Sequence, residues 1–236
     1  AQLALTESWN GTSWAERADL NTARNLLTGT GITTAALAFG GTPGGGLTES
    51  WDGTSWSETA DLTTARDSLG GFGTQTAALA FGGLTPSATD KTEIWNGSGW
   101  TEVADLNTAK ARLSGAGTTT AGLAFGGNPF LNETETWDGT SWSEVANLNT
   151  GRSEMAGVGT RTSALGGNSP SKTAINEDWN GSAWAEVADL NTARGNLTGT
   201  GTTTAGLASG GEIATGLTTA TEEWSGSSIL TKVLTD

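Results

Sequence analysis

Tryptophan recurs in this chain on a nearly fixed period. Trp9, Trp51, Trp95, Trp137, Trp179 and Trp224 are separated by 42, 44, 42, 42 and 45 residues. Trp14, Trp56, Trp100, Trp142 and Trp184 follow five residues behind the first five, and the two series account for all 11 Trp in 236 residues. A double glycine also returns shortly before each new copy, at Gly40-Gly41, Gly82-Gly83, Gly126-Gly127, Gly166-Gly167 and Gly210-Gly211. A unit this short cannot bury an apolar face alone, so tandem copies must pack on one another.

Each copy divides into four short apolar or alternating stretches, a to d, bounded by Gly, Asn, Asp and Thr, which is the punctuation of strands and turns. In the first full copy, a lies near 26–32, b near 35–39, c at 47–51, and d starts at Trp56. The c–d turn holds Asp52-Gly53 here and Asn10-Gly11, Asn96-Gly97, Asp138-Gly139 or Asn180-Gly181 elsewhere. These residues tolerate the positive φ of tight hairpins. Helical periodicity is absent. The pattern predicts an all-β fold: a five-bladed β-propeller of four-stranded antiparallel blades, one domain over residues 1–236.

The strands do not divide evenly. Five a–b pairs are present but six c–d hairpins, the first at 7–16 and the last at 222–233. A propeller of five blades has one terminal hairpin to spare, and the overlap is expected to complete the last blade with strands from the opposite terminus. The N-terminal hairpin is the preferred closure, because the C-terminal one has Ile229 where a second Trp belongs. A sixth, incomplete blade is the alternative.

Composition narrows the chemistry. The chain has no Cys, His or Tyr. Disulfides, thiolate and imidazole metal sites, and Ser-His-Asp or Cys-His nucleophiles are thereby excluded, and carboxylate chemistry is what an enzyme could use. No metal or other cofactor is expected. Eleven Lys+Arg against 25 Asp+Glu give a net charge of −14. Without a basic run, nucleic acid and anionic membranes are poor partners, and no apolar run is long enough for a spanning helix. The opening at Ala1, with neither Met nor a basic, apolar leader, reads as a processed product or an excerpt.

The repeat resembles that of the kelch family of propellers. The residues that carry the likeness in one copy are Gly40-Gly41, Glu49, Trp51, Asp52-Gly53, Trp56, Leu62 and Arg66. Kelch repeats usually carry Tyr at the position of Trp51 and are somewhat longer. Near-identical, acidic, Cys-poor copies are also similar to tandem kelch-like repeats in structural and fibre proteins of marine bacteriophage. That likeness implies an extracellular or virion-associated location.

Positions shared by all copies have a folding reason. The two Trp of a hairpin share one face and form a cross-strand aromatic pair that packs against a neighbouring blade. Glu stands two residues before the first Trp of every copy (Glu7, Glu49, Glu93, Glu135, Glu177, Glu222). A base stands fifteen residues after that Trp (Arg24, Arg66, Lys110, Arg152, Arg194), which suggests one charge-assisted pair per blade. Glycines such as Gly29 and Gly31 are expected on the innermost strand because side chains would collide where five strands converge.

Function is expected where the copies disagree. The b–c connections at 42–46, 84–91, 128–132, 168–176 and 212–219 differ in length and content, and they surround one mouth of the predicted channel together with the d–a connections. The start of strand a opens on the same mouth with Asn25-Leu26, Asp67-Ser68, Ala111-Arg112, Ser153-Glu154 and Gly195-Asn196. Asn25, Asp67, Arg112, Glu154 and Asn196, with Phe130 in an exposed loop, form a mixed polar set suited to a glycan or cell-surface receptor. The favoured function is therefore non-catalytic recognition or adhesion. A glycoside hydrolase using Asp67 and Glu154 is a second reading, and a purely structural spacer is a third.

Overall fold

The computed structural model describes residues 3–167, 173–226 and 229–232, and among these every regular element is a β-strand. β1 (Glu7–Trp9) and β2 (Trp14–Glu16) pair as a two-stranded hairpin. The first four-stranded sheet is β3 (Thr28–Ile32), β4 (Ala35–Phe39), β5 (Thr48–Trp51) and β6 (Trp56–Glu58). The second is β7 (Gly70–Thr74), β8 (Ala77–Phe81), β9 (Thr92–Trp95) and β10 (Trp100–Val103). The third is β11 (Ser114–Thr118), β12 (Ala121–Phe125), β13 (Thr134–Trp137) and β14 (Trp142–Val145), and the fourth is β15 (Ala156–Thr160), β16 (Ser163–Gly167), β17 (Asn176–Trp179) and β18 (Trp184–Val187). After β19 (Thr198–Gly201) and β20 (Gly206–Ser209), a small hairpin of β21 (Glu212–Ile213) and β22 (Gly216–Leu217) precedes β23 (Thr221–Trp224) and β24 (Ile229–Lys232). The fifth sheet runs β19-β20-β23-β24.

All pairings are antiparallel between neighbours, so the fold class is that of a five-bladed β-propeller, consistent with a kelch-like repeat. The strands group into two compact units, Ala1–Ala111 and Arg112–Asp236. The first holds the N-terminal hairpin and two blades, the second three blades.

Local chemistry explains the hairpins. Trp51 and Trp56 stand directly opposite each other. Between them Asp52 Oδ1 accepts hydrogen bonds from Thr54 N at 2.8 Å and Ser55 N at 2.9 Å, while Gly53 takes φ +98°. Asn96 Oδ1 does the same for Ser98 N and Gly99 N at 3.0 Å. The side chain thus supplies the acceptor that the tight turn needs.

The strand-a glycines meet the expected crowding between innermost strands: a Cβ would lie 2.5 Å from Ser114 Oγ at Gly157 and 2.9 Å from Ala156 Cβ at Gly199. Gly31 sits at φ +124°, and a Cβ there would lie 2.3 Å from Ala35 O of its own hairpin. At Gly71 a Cβ would come within 2.7 Å of the Phe39 ring, and at Gly157 within 2.8 Å of Phe125. They make room for the neighbouring innermost strand and, in addition, for a tight turn and for the phenylalanine of the preceding blade.

Packing between blades repeats within each unit. In the first, Phe39 meets Trp100 with ring centroids 4.9 Å apart, and Trp100 Nε1 donates to Thr48 Oγ1 at 3.0 Å. In the second, Phe125 meets Trp184 at 4.9 Å, and Trp184 Nε1 donates to Thr134 Oγ1 at 3.0 Å. An indole packs on carbon and still places its N–H on an acceptor, which avoids the cost of a buried orphan donor. The expected structural role of the Trp pairs is thereby met at the buried residues Trp95, Trp100, Trp137, Trp142, Trp179 and Trp184. Trp9, Trp14 and Trp56 are half-buried.

Two expectations are corrected. The C-terminal hairpin, not the N-terminal one, completes the fifth blade: Ala208 pairs with Glu222 and Trp224 with Ile229. A strand only a short loop away pairs with less loop-closure entropy than one at the far end of the chain. The N-terminal hairpin remains a separate two-stranded sheet, as the incomplete-blade alternative had it. It packs as the outer half of a blade would, with Trp56 Nε1 donating to Thr6 Oγ1 at 3.0 Å. The second correction is one of register. Gly166 and Gly167 pair with Gly157 and Ala156, the places that Ala38 and Phe39 hold opposite Gly29 and Thr28. They are therefore strand residues and not the counterpart of Gly40-Gly41. Residues 168–172 of the fourth b–c connection, and Val233 of the last hairpin, lie outside the described residues.

Candidate functional site

The repeated charges resolve, at the four arginines, into buried ion pairs with the glutamate of the following copy. Arg24 meets Glu49 at 3.2 Å, Arg66 meets Glu93 at 3.1 Å, Arg152 meets Glu177 at 2.7 Å and Arg194 meets Glu222 at 3.1 Å. Burial pushes each guanidinium below its usual pKa, and the facing glutamate opposes the shift. The second carboxylate oxygen is also occupied. Asn21 N, Thr63 N, Asn149 N and Asn191 N donate to it at 2.7, 2.7, 2.7 and 2.8 Å. Sequence reading found the charges but not these capping residues, whose signal is a polar residue three before each base. These groups are buried and bond to one another.

The irregular positions fall into two backbone classes that sequence alone ran together. In three of the five pairs the first residue bridges to the start of its own b–c connection, Asn25 to Thr42, Asp67 to Leu84 and Gly195 to Glu212. The b–c and d–a connections therefore meet at one end of the blade. The second residue is left-handed in every copy: Leu26, Ser68, Arg112, Glu154 and Asn196 have φ of 55, 55, 55, 54 and 55°. For L-residues this region costs roughly 1–2 kcal/mol. Only Asn196 is of a type that commonly takes it, so sequence gave little warning at the other four.

In the first unit, Ser68 N donates to Leu26 O at 2.9 Å, joining the two strand openings. Ser68 Oγ donates to Asp67 Oδ1 at 2.8 Å, and Asn25 is exposed. Leu26, which the polar reading passed over, is 45% exposed. In the second unit, Glu154 N donates to Arg112 O at 2.8 Å, and the Arg112 guanidinium donates to Glu154 Oε1 in a partly exposed salt bridge. Asn196 is exposed beside the Gly195–Glu212 bridge.

Phe130 is 54% exposed in the third b–c connection with φ 72°. Its backbone is braced there, since Leu131 N donates to Gly127 O at 2.7 Å. The structure thus pairs Arg112 with Glu154 and places Phe130 on a separate loop. Among the described residues, no cluster of three or more His, Cys, Asp or Glu is placed to hold a metal ion.

The first unit presents amide, carboxylate and hydroxyl groups beside apolar Leu26, and the second presents guanidinium, carboxylate and amide groups and, on a separate loop, apolar Phe130. Such groups suit hydrogen bonding to a polar ligand. No family model matches the chain, and no curated protein matches it.

Proposed function

We propose that this chain is a non-catalytic recognition module that binds a carbohydrate or polar cell-surface receptor through the irregular ends of its blades. The observation that carries this reading is the left-handed backbone at Leu26, Ser68, Arg112, Glu154 and Asn196. Glycine would relieve that strain, and the chain uses 36 glycines, yet these five positions keep five different side chains. Strain retained at irregular positions points to use of the side chains. The likeness to repeats of bacteriophage fibre proteins supports display on a virion or another extracellular surface.

The test is a glycan array run beside a panel of chromogenic glycosides. Recognition predicts array signal without turnover, and loss of the signal on Asn25→Ala, Arg112→Ala and Phe130→Ala. Hydrolysis abolished by Asp67→Asn or Glu154→Gln establishes the glycosidase reading instead. The Arg112 contact on Glu154 weighs against it, because the guanidinium occupies an oxygen that a general acid presents to the leaving group. A chain silent in both assays is a spacer.

A further inference from the structure

Thr6, Glu7 and Trp9 hold the positions that Thr48, Glu49 and Trp51 hold in the first complete blade, but they are covered differently. Glu49, Glu93, Glu135, Glu177 and Glu222 are at most 2% exposed, and Thr48, Thr92, Thr134 and Thr221 are buried as well. Glu7 and Leu5 are exposed, and Thr6 and Trp9 are half-buried. The difference lies in the neighbouring strand. Strand c runs between b and d in the five complete blades, whereas among the described residues β1 pairs with β2 alone.

The free edge is set up for pairing. Thr6 O accepts from Arg17 N at 2.8 Å and Asn10 N donates to Ser13 O at 3.3 Å, so alternate residues from Thr6 turn their backbone groups toward β2. Leu5, Glu7 and Trp9 turn theirs outward. At the place of Leu5, Leu47 O accepts from Gly40 N at 3.0 Å. The complete blades also show what such an edge takes. Opposite the first Trp stands Ala36, Ala78, Gly122, Ala164 or Gly206, and opposite the Glu stands Ala38, Ala80, Ala124, Gly166 or Ala208. Small side chains there leave room for the indole and the carboxylate beside them.

Glu7 also calls for a base. In the second blade Arg66 Nη2 lies 3.1 Å from Glu93 Oε1 and donates to Ala80 O at 3.3 Å, so one arginine joins strand b to the glutamate of strand c. Arg24 is already committed to Glu49. A second copy is a poor occupant, because its five a–b hairpins are held in their own blades. Edge-to-edge pairing of two copies would bring their Glu7 carboxylates into one narrow sheet on chains of net charge −14, and like charges oppose such pairing.

We propose that the free edge of β1 is a docking site for an a–b hairpin of a further copy of this repeat, outside the five that the chain already uses. The occupant is an extended strand with Ala or Gly at alternate positions, preceded by an arginine that seats on Glu7. Strand addition of this kind turns the N-terminal hairpin into the outer half of a four-stranded blade. None of the edge residues belongs to the polar recognition set.

The experiment is amide hydrogen exchange by NMR on the whole chain, alone at two concentrations and with a synthetic peptide of residues 62–83, which carries Arg66 and both strands of one a–b hairpin. The expected result is saturable binding that protects the Glu7 and Trp9 amides. An Arg66→Gln peptide is expected to bind about tenfold more weakly, and a peptide with Ala78→Leu and Ala80→Leu to lose about tenfold or more. Glu7→Gln in the chain is expected to abolish the preference for the arginine peptide. The peptide variants leave the folding of the chain untouched. Failure of the peptide to protect Glu7 and Trp9 overturns the proposal, as does equal binding of the Ala78→Leu, Ala80→Leu peptide or an arginine preference that survives Glu7→Gln. Protection that grows with chain concentration in the absence of peptide assigns the edge to a second copy and overturns it as well.

Discussion

Arg66 Nη2 and Glu93 Oε1 lie 3.1 Å apart with neither side chain reaching solvent. Arg66 also donates to Gly82 O at 2.9 Å, to Ala80 O at 3.3 Å and to Lys91 O, while Thr63 N and Oγ1 both donate to Glu93 Oε2 at 2.7 Å. A buried pair tolerates its desolvation only when such further bonds are made. One side chain thereby ties strands b and c to the connection that leads into the blade.

Removing one partner leaves an uncompensated buried charge. Glu93→Gln is expected to lower stability by about 3–5 kcal/mol. Glu7, the equivalent residue of the N-terminal hairpin, is exposed, and Glu7→Gln is expected to change stability by no more than about 0.5 kcal/mol. Urea unfolding of the two variants checks the contrast, and equal losses would refute the assignment.

The c–d turns give a pH signature. Hydrogen bonds from Thr54 and Ser55 hold the Asp52 carboxyl at about 2, and those from Ser141 and Thr140 do the same for Asp138. A depressed carboxyl stabilises the fold above its unfolded pKa, and that contribution is lost as pH falls toward 2. Asn96 makes the equivalent backbone bonds without titrating. The double variant Asp52→Asn, Asp138→Asn is therefore expected to be less stable than the parent at pH 7 and to lose less stability between pH 4 and pH 2, so that the two converge, as read by thermal melts from pH 7 to pH 2.

The indole N–H of Trp184 can be separated from its ring. Trp184→Phe keeps an aromatic against Phe125 but leaves Thr134 Oγ1 without its donor at 3.0 Å. The expected loss is about 1–3 kcal/mol in denaturant unfolding. A larger loss than in Trp14→Phe, where the tryptophan is only half-buried, is the result that fits.

Backbone strain at the irregular positions is also measurable. Asn196→Gly is expected to raise stability by up to about 1 kcal/mol, because relief of left-handed strain exceeds the entropy of the added glycine. Asn196→Val is expected to lower it by about 1–2 kcal/mol, since a β-branched residue is a poor occupant of this region. Unfolding free energies of the two variants should have opposite signs.

Much of the architecture was legible because it repeats. The Trp spacing, the Asn-Gly and Asp-Gly turns and the alternating stretches placed all four strands of a blade to within two residues, as with the expected 26–32 and the observed Thr28–Ile32. What repetition could not supply was pairing between equals. Glu7 and Glu222 have the same local sequence logic, and only the fold shows which one receives Arg194. The Gly166-Gly167 pair looked like the recurrent double glycine, but register is set by the a–b turn and moves it into the strand. At the candidate site the positions were readable as irregular, whereas the left-handed backbone at Leu26, Ser68, Arg112 and Glu154 was not, because tertiary bonds impose it on residues with no intrinsic preference for it.

Calorimetric titration with the strongest ligand from a glycan array tests the division between shared and irregular residues most directly. The account predicts that Asn25→Ala, Arg112→Ala and Phe130→Ala weaken binding at least tenfold with unchanged melting, while Trp14→Phe leaves it intact. Full affinity in all three irregular-position variants, or its loss in a folded Trp14→Phe chain, would contradict it.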